Sequence, residues 1–176
     1  GKSMEPLIHY GIQANSIGLL VETDTPMVLR GPMISSYLTE LLTKTHWQDL
    51  DYLVVDMPPG TGDVHLTLSQ KVPVTGAVIV TTPQDIALLD AKRGIQMFEK
   101  VGIPVLGIIE NMSLYRCSHC GHIEHIFGQG GGEKIAAQYK VEYLGGLPLD
   151  ISIRLQADSG KPTVVAEPNG EIANLY

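Results

Sequence analysis

Asp51-Tyr-Leu-Val-Val-Asp-Met-Pro-Pro-Gly-Thr-Gly-Asp63 is the stretch whose reading decides the fold. Its first six residues, Asp51 to Asp56, form a short β-branched apolar run. Pro58 and Pro59 stop that run, because proline cannot donate to a ladder. The run reads as a buried strand with an acidic residue at its carboxyl end, followed at once by a loop of glycines.

Working outward, Ala77-Val-Ile-Val-Thr-Thr82 is a second apolar strand. A helix follows in which Leu88, Ala91, Ile95 and Phe98 recur on one face, and then a third strand from Val105 to Glu110. Upstream, Ser35 to Thr45 places Leu38, Leu41 and Leu42 at helical spacing, with Ser35 or Ser36 available as a cap. Downstream come a helix at about Glu133 to Tyr139, a strand from Tyr143 to Leu147, and a short helix after Pro148-Leu-Asp150. Apolar strands alternating with amphipathic helices predict an α/β fold, a mostly parallel sheet with helices on both faces. Ligands of such sheets bind at the carboxyl edge of the strands.

A carboxylate such as Asp56 at that edge can hold Mg²⁺ through water, and the amides of a glycine loop can approach a phosphate. The same spacing also suits an aspartate that only caps a turn.

Composition bounds the rest. The 176 residues, 44% of them hydrophobic, suffice for one domain with a core. A net charge of -7 with no run of Lys or Arg argues against nucleic acid and anionic membrane surfaces as partners. No apolar stretch approaches the roughly 20 residues of a spanning helix, and no charged-then-apolar leader opens the chain. The expectation is a soluble, cytoplasmic protein.

From Met112 to Gly132 the pattern breaks into a segment rich in Cys, His and Gly. It holds both cysteines of the chain, Cys117 and Cys120, as Cys-x-x-Cys-Gly. Two cysteines so close cannot make a secreted disulfide scaffold and point to metal chemistry. Both thiolates can reach one centre, yet zinc and [4Fe–4S] sites ordinarily take four protein ligands. His119, His122 or His125 could complete a zinc site within one chain. A thioredoxin-like redox pair fits less well, because no helix begins at the first cysteine. Gly128-Gln-Gly-Gly-Gly132 lacks the Lys and Ser/Thr of a phosphate loop and reads as a hinge.

As a whole string, positions 51 to 63 resemble the Walker B and switch II segment of the Mrp/ApbC-type iron–sulfur cluster carrier P-loop ATPases. The resemblance runs on through Val74-Thr-Gly-Ala77, Thr81-Thr-Pro-Gln-Asp-Ile-Ala87, Asp90-Ala-Lys92, Glu110-Asn-Met-Ser113 and Cys117-Ser-His-Cys-Gly121. It spans Arg30-Gly-Pro-Met33 to Pro162-Thr-Val164, and it places the chain beside the MinD, ArsA and nitrogenase-iron-protein ATPases.

The resemblance implies that residues 1–176 form one partial P-loop ATPase domain, with a metal loop at about 112–132. Asp56 and Asp63 then serve catalysis, Asp56 on the Mg²⁺ side, while Gly60 and Gly62 belong to the loop that senses the γ-phosphate of ATP. Asn111 reads the adenine base, as an amide at a strand end can, and Pro148 lines the same side. Asn111 could instead bond its own backbone in a turn, and Pro148 could simply stop a strand. Cys117 and Cys120 of two subunits together hold a shared [4Fe–4S] cluster in a homodimer, which is delivered to apo iron–sulfur proteins. The competing expectation is a zinc-bridged dimeric scaffold. A MinD-like partition role would call for a basic amphipathic membrane helix, and no such segment is found in the sequence.

The family's Lys-Gly-Gly-Val-Gly-Lys-Ser/Thr loop does not occur in this sequence. Gly1-Lys-Ser3 is no substitute, since Met4-Glu-Pro-Leu-Ile-His9 carries a proline and no helical period. The chain as given is therefore expected to bind ATP weakly or not at all.

Overall fold

A computed structural model of the chain describes residues 3–19, 31–58 and 63–176. The chain divides into two compact units, Gly1–Val74 and Thr75–Tyr176.

In the first unit, strands β1 (Leu7–His9) and β2 (Ile12–Ala14) pair antiparallel. Tyr10 and Gly11 turn between them with φ of 50° and 76°, the pair of positive angles that suits a two-residue hairpin. The proline-containing opening is thus strand and not helix. Helix α1 (Gly31–Lys44) and helix α2 (Asp63–Lys71) pack together through Leu38, Val64 and Leu68, with Ile34 and Leu42 beside them. α1 begins before Ser35 and Ser36, so these serines sit inside the helix and do not cap it; the Ser35 carbonyl accepts from Thr39 Oγ1 at 2.8 Å. α2 was not expected. Its inward residues Val64 and Leu68 do follow helical spacing, but between the glycine loop and the next strand that signal is only two residues long.

The run Asp51 to Asp56 is not a strand. A strand exists only where a neighbour accepts its ladder bonds, and none of the described residues pairs with it. The chain still alternates: Val55 and Met57 turn onto the α1–α2 cluster, while Tyr52 and Val54 are 87% and 89% exposed.

The second unit carries the sheet. Strands β3 (Ala77–Thr81), β4 (Val105–Glu110) and β7 (Tyr143–Gly146) are parallel in the order β3-β4-β7. Helix α3 (Asp85–Lys100) crosses from β3 to β4, and helix α4 (Gly131–Tyr139) leads into β7. Ile79, Ala91, Ile95, Ile108, Ile135 and Ala136 form the core, with Leu88 and Phe98 packed against it. The four apolar positions read on α3 therefore all face the sheet. Ile95 and Ile108 are fully buried, each contributing on the order of 2 kcal/mol by removal from water. The alternate residues Val78, Val80, Leu106 and Leu144 point away from this core and are exposed.

Between β4 and α4 stands a two-residue-per-strand hairpin, β5 (Tyr115–Arg116) and β6 (Ile123–Glu124). Helices α5 (Ile151–Asp158) and α6 (Thr163–Ala166) complete the unit. Asp150 caps α5, its carboxylate accepting from Ser152 N–H at 2.7 Å. Among the described residues no helix is long and apolar enough to cross a membrane.

Candidate metal centre and nucleotide edge

All three sheet strands end on one edge, and the cysteine hairpin is built there. β4 runs out at Glu110, and Asn111 N–H donates to the Thr81 carbonyl at 2.7 Å. The following segment pairs with the exit of β7. Leu147 N–H donates to Glu110 O at 2.9 Å, Ser113 N–H to Leu147 O at 2.9 Å, and Leu149 N–H to Leu114 O at 2.8 Å. This ladder feeds into β5, so the hairpin continues the sheet edge.

At its tip Cys117 N–H donates to His122 O and Gly121 N–H to Cys117 O, both at 2.8 Å. Gly121 has a φ of +73°, a left-handed angle that favours glycine and lets the chain double back. The tight turn aims amides at sulfur. The Cys117 thiol is drawn below its ordinary range first by the Cys120 backbone N–H, then by the His119 backbone N–H and the Cys120 side chain. Burial and the Glu124 carboxylate oppose them. Donors aimed at a sulfur stabilise its thiolate, the form that binds metal. Both cysteines are free, Cys120 exposed and Cys117 half-buried.

The histidines do not complete this pair. His125 Nδ1 lies 2.8 Å from the Ser113 carbonyl, and His122 Nε2 lies 3.7 Å from Glu124 Oε1. Among the described residues no group of three or more His, Cys, Asp or Glu side chains is arranged to hold a metal ion. The two cysteines stand as a pair at the tip of the hairpin.

Asn111 and Pro148 lie on the paired segments that leave β4 and β7. The Asn111 side-chain oxygen accepts from the Met112 N–H at 3.0 Å, and Met112 takes a φ of 56°. The local turn allowed by the sequence is thus formed, and the side-chain NH₂ takes no part in it.

Asp56 is exposed, at the end of the irregular run in the first unit. Asp63 opens α2. Gly60 and Gly62 lie outside the described residues.

Sequence reasoning missed Glu110. Its carboxylate is 2% exposed and accepts from Gly132 N–H at 2.5 Å, tying the end of β4 to the start of α4. The glycine run is therefore packed rather than a free hinge. A Cβ on Gly131 would lie 2.4 Å from Leu88 Cδ1, and one on Gly132 would lie 3.1 Å from Glu110 Cβ. Arg116, beside Cys117, grips the Glu171 carboxylate with two N–H groups at 3.1 and 3.3 Å.

A parallel α/β sheet with a strand-end amide and a cysteine pair on its carboxyl edge defines a class, the α/β proteins whose functional edge is formed by the carboxyl ends of their strands. Within that class the chain belongs to the ParA family, whose model, described as NUBPL iron-transfer P-loop NTPase, matches residues 1–176. It is 61% identical over 171 residues to an iron-sulfur cluster carrier protein of Pseudomonas fragi, covering 97% of this chain and 60% of that one. It is 51% identical over 173 residues to the mouse iron-sulfur cluster transfer protein NUBPL, covering 98% of this chain and 54% of that one. Among solved structures it resembles a nucleotide-binding protein of Archaeoglobus fulgidus in complex with ADP and with Co. The TM-score is 0.76 at 34% identity, over 97% of this chain and 65% of the other. The chain thus spans roughly half to two thirds of the length of these relatives.

Proposed function

We propose that the chain is the metal-bearing and base-reading part of a cytoplasmic iron–sulfur cluster carrier. Its cargo is a [4Fe–4S] cluster held by Cys117 and Cys120 from each of two copies in a homodimer and passed to apo iron–sulfur proteins. The observation that carries this reading is the knuckle. It offers two thiolates with amide donors already aimed at Cys117, and no third ligand stands by among the described residues. A second copy supplies the missing pair by symmetry. Free thiols at Cys-x-x-Cys spacing also suit a reducing compartment.

MgATP control belongs to the same proposal, for the longer proteins of the family. Asp56 would hold Mg²⁺ through water, with Gly60, Gly62 and Asp63 forming the loop that responds to the γ-phosphate. Asn111 and Pro148 would flank the adenine. ADP in the archaeal relative supports a nucleotide site in this fold.

Anaerobic reconstitution with iron and sulfide, followed by metal and sulfide analysis and sizing, tests the cargo. The expected result is one cluster per pair of chains and a doubled mass, both abolished by Cys117→Ser. A single zinc per pair with no sulfide would replace the carrier with the zinc-bridged scaffold.

A further inference from the structure

We propose that His125 is a positioning residue that fixes the direction in which the cysteine hairpin points. This rests on the reading of Cys117 and Cys120 as the cargo ligands. The hairpin has only two paired residues on each strand, too few to hold an orientation alone. Its entry strand is tied down, because Leu149 N–H donates to Leu114 O at 2.8 Å and Tyr115 bridges Leu149. Its exit strand has no such ladder: β6 ends at Glu124, and the next residue is His125.

The His125 ring turns back across the stem to the Ser113 carbonyl, with Nδ1 at 2.8 Å. A carbonyl only accepts, so Nδ1 carries the proton and donates. Ser113 is itself immobilised by two bonds to Leu147 O, from its N–H at 2.9 Å and its Oγ at 3.1 Å. The latch therefore closes the stem between residues 113 and 125 and leaves the knuckle at the far end. It also joins the exit of the hairpin to the segment that follows Asn111. The His125 carbonyl accepts from Gly128 N–H at 3.1 Å, which starts the chain toward α4. Because His125 is exposed, replacing it removes the latch without opening the core.

The bond makes a chemical distinction that can be tested. The Nδ2 of asparagine is as many bonds from Cα as the Nδ1 of histidine, whereas the Nε2 of glutamine matches the other ring nitrogen. Amide hydrogen exchange of Cys117 and Gly121 in the metal-free chain is compared among the parent, His125→Ala, His125→Asn and His125→Gln. The Ala and Gln chains should exchange these amides on the order of five-fold faster, the size set by one neutral hydrogen bond. The Asn chain should match the parent in exchange and in melting temperature, and the Ala and Gln chains, which lack the same bond, should melt no more than about 2–4 °C lower. Loss of reconstituted iron to a chelator should follow the same order. Equal exchange in all four chains, or an Asn chain as fast as the Ala chain, overturns the latch. If exchange follows the predicted order but no chain holds iron, the cargo reading falls and the latch stands.

Discussion

Cys117 owes the lowering of its thiol pKa to geometry confined to four consecutive residues, the amides of Cys120 and His119 together with the Cys120 side chain. In the metal-free chain the alkylation rate of Cys117 should therefore level off at a lower pH than in the same chain unfolded in urea. The thiolate's contribution to stability is present above the ordinary thiol pKa and fades as pH falls through the lowered value of Cys117. Coincident alkylation profiles in the native and unfolded chains would mean that the knuckle does not form in solution. The cysteine pair was legible in the sequence for the same reason that its chemistry is local. Glu110 and His125 were not: their partners, Gly132 and Ser113, lie 22 and 12 positions away, and no spacing rule connects a strand-end carboxylate to an amide that far along. Asn111 stands between these cases: the sequence allowed a local turn beside the base-reading role that the resemblance implies, and the structure shows that the turn is made.

At the scale of elements, β4 was read from Val105 to Glu110 and is found there, whereas the apolar run at 51–56 was read as a strand and is not one. The difference lies in neighbours. β4 has β3 on one side and β7 on the other, while the earlier run has an apolar side against α1 and α2 but no described ladder partner. Apolar sequence reports burial, and a strand needs hydrogen bonds as well. Gly107 shows how closely β4 is fitted. A Cβ there would stand 2.9 Å from the Glu142 backbone carbonyl and 2.6 Å from Leu144 Cγ, beside the 2.8 Å bond from Ile108 N–H to that same carbonyl. Gly107→Ala should push β7 away from β4 and destabilise the chain by about 1–3 kcal/mol, as overpacking of a fitted contact does. A urea melt measures it. An unchanged midpoint would show that β7 can shift at no cost, which its register against β4 does not suggest.

For the whole molecule, the sequence made the α/β plan and the edge for the site readable, because strand and helix periods alternate through the second unit. Nothing in those periods marked the division at Val74 and Thr75, which depends on which helices meet which core: α1 and α2 share one apolar cluster, α3 and α4 another. Every bond described for the knuckle and its supports has both partners between Thr81 and Glu171, inside the second unit. The unit also holds the two fully buried isoleucines, Ile95 and Ile108. A fragment of residues 75–176 should therefore keep the knuckle: its amide exchange at Cys117 and Gly121, and the pH at which Cys117 alkylation levels off, should match those of the whole chain. The exposed row of Val78, Val80, Leu106 and Leu144 is the feature that works against this outcome, since an uncovered apolar sheet face promotes self-association. The measurement is therefore made at low concentration with sizing alongside. A monomeric fragment whose Cys117 behaves as in urea would show that the first unit is required to hold the knuckle, and that the supports traced from Thr81 to Glu171 do not suffice.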